Sequence, residues 1–141
     1  MSQFKITGKQ AVESADAIRR LAATDKDGHA LYKFNGKVKI VLAKRLKKCV
    51  EIIETLDDER KKLMKDKNIT GLTDDKGQPK DSAADIQAFN KEYDEMLEVE
   101  HEIECGSIKE EWLDLDKNVD LPHTLLAALS WMIEFSTEGL D

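Results

Sequence analysis

LAKRLKKCVEIIETLDDERKKL, residues 42–63, decides the fold. Leu42, Leu46, Cys49, Ile53, Leu56, Arg60 and Leu63 recur in it at alternating steps of four and three. A second stretch, IQAFNKEYDEMLEVEHEI at 86–103, repeats the pattern with Ile86, Phe89, Tyr93, Met96, Glu100 and Ile103. An apolar period of 3.5 residues is what two packed helices need to keep their stripes in register. Residues 67–82 between them hold Gly71, Gly77 and Pro79 and little that is apolar. The spacing predicts a mostly α fold: a long antiparallel helical hairpin over 37–105 with a polar loop at 67–82. Residues 1–34 supply a strand, a helix and a turn ahead of it. Residues 106–141 supply an arm and a final apolar helix. The 141 residues fall within the usual size of one domain.

Outward from the seams, residues 4–7 alternate like a short strand, and 10–23 read as a helix with Ala11, Ala15 and Ile18 on one face. Asp25-Lys26-Asp27-Gly28 resembles the start of a calcium loop but lacks the later ligands, so a plain turn is expected. Ser82, with Asp85 three residues on, caps the second long helix, expected to run to Cys105 before Gly106. Residues 108–115 read either as an extended stretch pairing with 4–7 or as an irregular arm. Asp120 and Pro122 open a last helix, expected over residues 121–135, with Leu125, Leu126, Leu129, Met132 and Ile133 as a broad stripe and Trp131 beside it.

Charged residues make up 36 % of the chain and the net charge is −7. No apolar run approaches the ~18 residues of a membrane helix, and the first ten residues lack a secretory core. Two cysteines do not make a disulfide framework. A cytoplasmic protein is expected. The charge is unevenly spread: Lys37, Lys39, Lys44, Arg45, Lys47 and Lys48 lie together without an acid, and Glu92, Asp94, Glu95, Glu98, Glu100, Glu102 and Glu104 load the second seam. Antiparallel packing would set one against the other. The basic cluster lacks the interleaved aromatics of a nucleic-acid footprint and sits beside an acidic helix, so direct nucleic-acid binding is not expected. The acidic set could instead occupy a basic groove on a partner. Glu92, Glu95, Glu98 and Glu102, with Lys44, Lys47 and Lys48, are therefore the candidate partner-binding residues.

No phosphate loop, dinucleotide fingerprint, nucleophile elbow or metalloprotease motif is present, and no catalytic residue is assigned. His101 and Cys105 share a face if that stretch is helical, and Cys49 falls opposite them in a hairpin. A zinc site would still need a fourth ligand, so no metal or cofactor is expected. Arg60 and Glu100 interrupt the seams and read as register-setting polar residues.

The order of the segments resembles a family of small helical proteins of tailed bacteriophages and prophages. It rests on the basic Gly36-Lys37 to Lys47-Lys48 start, the turn Asp75-Lys76-Gly77-Gln78-Pro79, the acidic Ala88-Phe89-Asn90-Lys91-Glu92 helix and the leucine-rich Leu125 to Glu134 close. The resemblance implies phage origin, expression in the cytoplasm of a bacterial host, and a protein-binding rather than catalytic role. Inhibition of a bacterial host defence complex is its most concrete version. A virion assembly factor, such as a scaffold, chaperone or connector component, is the alternative. A third reading is a protein that sequesters a nucleotide signal, using Lys44, Lys47 and Lys48 with Tyr32 and Phe34. A short final helix cannot cover so long a hairpin, so a homodimer is expected, with Leu125, Leu129, Trp131 and Met132 at its interface or in the core.

Overall fold

In the computed structural model, which describes residues 2–134, α2 (Gly36–Asp66) is the spine. Asn35 starts it by accepting a hydrogen bond from the Val38 amide at 2.9 Å. Ahead of it lie β1 (Ser2–Thr7) and α1 (Gly8–Leu21). The junction of these two is a capping box: Thr7 Oγ1 accepts from the Gln10 amide at 3.1 Å, and Gln10 Oε1 accepts from the Thr7 amide at 2.8 Å. After α2 come α3 (Ala83–Leu97), β2 (Glu100–Cys105), β3 (Ile108–Lys109), a 3-10 turn at Glu110–Leu113, α4 (His123–Ala128), a second 3-10 turn at Ser130–Met132, and β4 (Ile133–Glu134). Helices make up about 55 % of the structure, so the fold is mostly α.

The second seam does not continue as helix. α3 stops at Leu97, and residues 100–105 are a strand pairing antiparallel with β1, Phe4 opposite Ile103 and Ile6 opposite His101. Two physical causes are visible. The last turn of α3 carries Asp94 and Glu95 and no base, which opposes the helix dipole. From Glu100 onward, polar and less polar residues alternate: glutamates at 100, 102 and 104 face water, and Ile103 and Cys105 are buried. Period two belongs to a half-buried strand. Residues 108–115 do not pair with β1 either. Ile108 and Lys109 run parallel to Ile133 and Glu134, and the chain then turns. The final helix is also shorter than expected. It ends at Ala128, and Ile133 is in β4; Phe135 lies outside the described residues.

The core has two parts, and α1 serves both. One gathers Ile18 and Leu21 of α1, Val38 and Leu42 of α2, and Ile108, Leu113, Leu125, Leu129 and Met132 from the C-terminal third. The other gathers Ile6, Ala11, Ala15, Cys49, Ile103 and Cys105. Trp131 packs against both, meeting the Phe4 ring edge to face at 5.6 Å. Its indole N–H donates to Ser14 Oγ at 2.8 Å, and that buried hydroxyl donates to the Ala128 carbonyl at 3.2 Å. Leu125, Leu129 and Met132 are thus core residues of their own chain, and Trp131 is half-buried there. Gly8, at the start of α1, lies against the spine. A Cβ there would stand 2.7 Å from Leu56 Cδ1 and 3.3 Å from the Leu97 carbonyl.

Candidate functional site

Two charged surfaces flank this core. The acidic one is not a single helical face. Glu92 and Glu95 are exposed on α3, Glu98 is its C-cap residue, and Glu102 stands exposed on β2 opposite Lys5. Glu92 is tied to Lys67 at the end of α2 by an ion pair of 3.1 Å. α3 buries none of its side chains fully. Its half-buried Phe89 and Tyr93 rings stack with centroids 5.8 Å apart.

The basic surface is a groove of about 440 Å³ between α2 and the segment after β2. Lys44, Lys47 and Lys48 line it and are exposed, as the sequence reading placed them. Arg45 lines it too, but it is only 7 % exposed. Its guanidinium donates through Nη2 to the Gly106 carbonyl, and its Nε has no partner. Trp112 forms part of the wall, with the Lys37 ammonium 4.3 Å from its ring centroid. Glu51 and Glu104 line the groove as well. Tyr32 and Phe34, expected beside these lysines, do not line it; they pack against the larger core.

The turn that follows Trp112 is held by a clamp that no motif announces. The buried Asn118 side chain accepts from the Lys33 amide at 2.6 Å and donates to the carbonyls of Lys33, Leu113 and Asp114 at 2.9, 2.8 and 3.2 Å. Asp114 adopts a left-handed φ of 48° to let the chain turn there. The Arg45 signal was legible: Val38, Leu42, Arg45 and Cys49 follow steps of four, three and four, which places Arg45 on the buried stripe in place of Leu46.

The remaining sequence candidates resolve as structure. Cys49 and Cys105 are free and buried in one core cluster. Burial pushes the Cys49 thiol up to about 11 and raises that of Cys105, with nearby Arg45 opposing both shifts. Raised thiols are poor nucleophiles and poor metal ligands. His101 is on β2, so it does not share a helical face with Cys105; its Nε2 is buried without a partner. Arg60 does not set a register across helices. It bonds Asp57 and Met64 on its own helix, and the bond to Asp57, with a second from Lys61, holds the Asp57 carboxyl below its usual range. Glu100 is exposed at the start of β2.

The calcium-like turn is one of two loops built to one plan. In residues 24–30 and 73–79, Asp25 and Asp74 each accept two backbone amides at 2.9 Å, and Gly28 and Gly77 each adopt a left-handed φ, 80° and 78°. Asp25, Asp27 and His29 bring three ligand atoms within 4.8 Å of one another, all on exposed residues. The second loop has Lys76 and Gln78 where the first has Asp27 and His29, and folds the same way. The aspartate and the glycine therefore account for the loop without an ion. Comparison with family models, curated proteins and solved structures finds no match for this chain.

Proposed function

We propose that this chain is a non-catalytic, phage- or prophage-encoded protein that binds another protein, and that its concrete role is to inhibit a bacterial host defence complex from within the host cytoplasm. The single observation that supports this reading is α3, a 15-residue helix with no fully buried side chain that presents Glu92, Glu95 and Glu98 beside a stacked aromatic pair. Helices in a globular chain normally bury a stripe against their own core. One that leaves its face half-covered, with acid at the rim and aromatics within, has the composition of a contact surface. In this reading α2 and α3 form a hairpin that carries the face to a basic groove on the partner. No helix of the described residues is long and apolar enough to cross a membrane.

The homodimer expected from the C-terminal stripe has to use another face, because Leu125, Leu129 and Met132 are used in the core. The test is co-purification from bacterial lysates of the wild-type chain beside a Glu92→Lys, Glu95→Lys, Glu98→Lys variant. The expected result is one stoichiometric partner, retained by the wild type and lost by the variant, at unchanged helix content. Wild-type protein that captures no stoichiometric partner across several hosts overturns the reading. A partner that is a capsid or tail protein moves it to virion assembly.

A further inference from the structure

The groove on α2 holds a buried cation that forms no ion pair among the described residues. Arg45 is 7 % exposed, and among the described residues no carboxylate forms an ion pair with it. Among the described residues its only hydrogen bond is to a neutral carbonyl, that of Gly106, and its Nε has no partner. Burying a charge without an opposite charge is expensive. Lys44, Lys47 and Lys48 stand at the mouth of the same groove and add to the positive potential in place of offsetting it. The sequence thus places four cations within five residues around one concavity.

The other walls decide what kind of anion fits. Trp112 offers a flat apolar surface, and Val41, Cys105 and Gly106 continue it. Glu51 and Glu104 are carboxylates that repel a free anion and accept hydrogen bonds from N–H or O–H groups. A volume of about 440 Å³ is that of a small-molecule pocket, not of an extended interface. We propose that this groove binds a nucleotide: the phosphate among Lys44, Arg45, Lys47 and Lys48, the base packed on Trp112, and the polar edge of base or sugar toward Glu51 and Glu104. A bare phosphate has no use for the indole. A nucleic-acid strand needs a continuous basic track, and this chain, at −7, has an acidic arm beyond the groove. The inference is separate from the reading of α3, since none of the groove residues belongs to that helix.

The test is calorimetry and tryptophan fluorescence with AMP, GMP, cyclic AMP and cyclic GMP, with inorganic phosphate and a polyglutamate peptide as controls. At least one nucleotide should bind with Kd below roughly 1 mM and change the emission, and the Trp112→Phe variant should lose that change. The Lys44→Gln, Lys47→Gln variant alters two exposed side chains. It should bind about tenfold more weakly at unchanged circular dichroism, a loss of about 1.4 kcal/mol shared between two exposed phosphate contacts. Nucleotides that fail to bind, or that bind the lysine variant as well as wild type, overturn the proposal. So does phosphate binding as tightly as the nucleotides, which means an anion site without base recognition. Polyglutamate binding more tightly than any nucleotide reassigns the groove to an acidic protein segment.

Discussion

The two ends of α2 obey the same sequence rule and meet different surroundings. Toward its N-terminus, Val38, Leu42, Arg45 and Cys49 are buried in close succession, against α1, β2 and the C-terminal third. Toward its C-terminus only Leu56 and Leu63 are buried, a full heptad apart, and the helix that follows has no fully buried residue. Heptad spacing reports that a helix has an apolar stripe. It does not report how deeply the stripe is covered. The covered end joins elements from both parts of the core; the thinly covered end leads to an arm, a helix without a fully buried side chain. Local opening should follow the same division, with the lowest free energies in α3 and its loop.

The largest effect that tests this division is in the core. Leu129→Ala should destabilise by about 3–5 kcal/mol, because the side chain is fully enclosed and its neighbours come from three parts of the chain. Tyr93→Ala on α3 removes a larger side chain and should cost only about 1 kcal/mol, since that ring is half exposed and stacks on one partner. Urea unfolding followed by circular dichroism measures both. Equal losses would mean that the arm is as much a part of the cooperative core as the C-terminal third.

A smaller effect reads the covered end through pH. Burial raises the Cys49 thiol from 9.0 to about 11, so the folded state holds its proton more tightly than the unfolded state does. That contribution is complete below pH 9 and is lost as pH rises toward 11. Cys49→Ala should therefore be the less stable protein at neutral pH, by about 1 kcal/mol for the small void it leaves, and the gap to wild type should narrow in strongly alkaline buffer. Melting both proteins across that range checks the sign. A gap that stays constant with pH would place the thiol in contact with water, and one that widens would mean that Arg45 outweighs burial and favours the thiolate. Neither cysteine should react with a thiol reagent until the chain unfolds.

How much of this was legible depends on which signal dominates locally. The spine, its basic start and the mostly α class followed from apolar spacing over many turns, where chance matches are few. Residues 100–105 were misread because a heptad through Tyr93, Met96, Glu100 and Ile103 and a two-residue alternation through His101, Ile103 and Cys105 share Ile103. The alternation wins because β1 offers a pairing partner to all six of its residues and the acidic end of α3 does not favour more helix. The groove was half visible. The lysines announce themselves by number and Arg45 by its place on the buried stripe, whereas Trp112 carries no spacing signal, and the bond from Arg45 to Gly106 crosses 61 residues that no local spacing encodes.

The smallest predicted effect uses the paired loops as an internal control. Gly28 and Gly77 have nearly the same left-handed φ, 80° and 78°, and each follows an aspartate bonded to the same two amides. A Cβ added at either glycine would have nothing within 4 Å. An alanine at either position meets only the backbone penalty, about 1 kcal/mol. What differs is the load on each loop. Residues 24–30 lead into the Lys33 clamp on Asn118, which ties that end of α2 to the C-terminal third. Residues 73–79 lead into Ser82 and the arm, secured by Asp81, whose carboxylate accepts from the Thr70 and Gly71 amides and is held below its usual range by the Thr70 bonds first. Gly28→Ala should therefore lower the global melting temperature, by a few degrees. Gly77→Ala should leave it nearly unchanged and instead raise proteolytic cleavage within the loop, because the strain is released by opening the arm alone. Equal shifts in melting temperature from the two variants would show that α3 unfolds together with the core, and that the two ends of α2 form one cooperative unit.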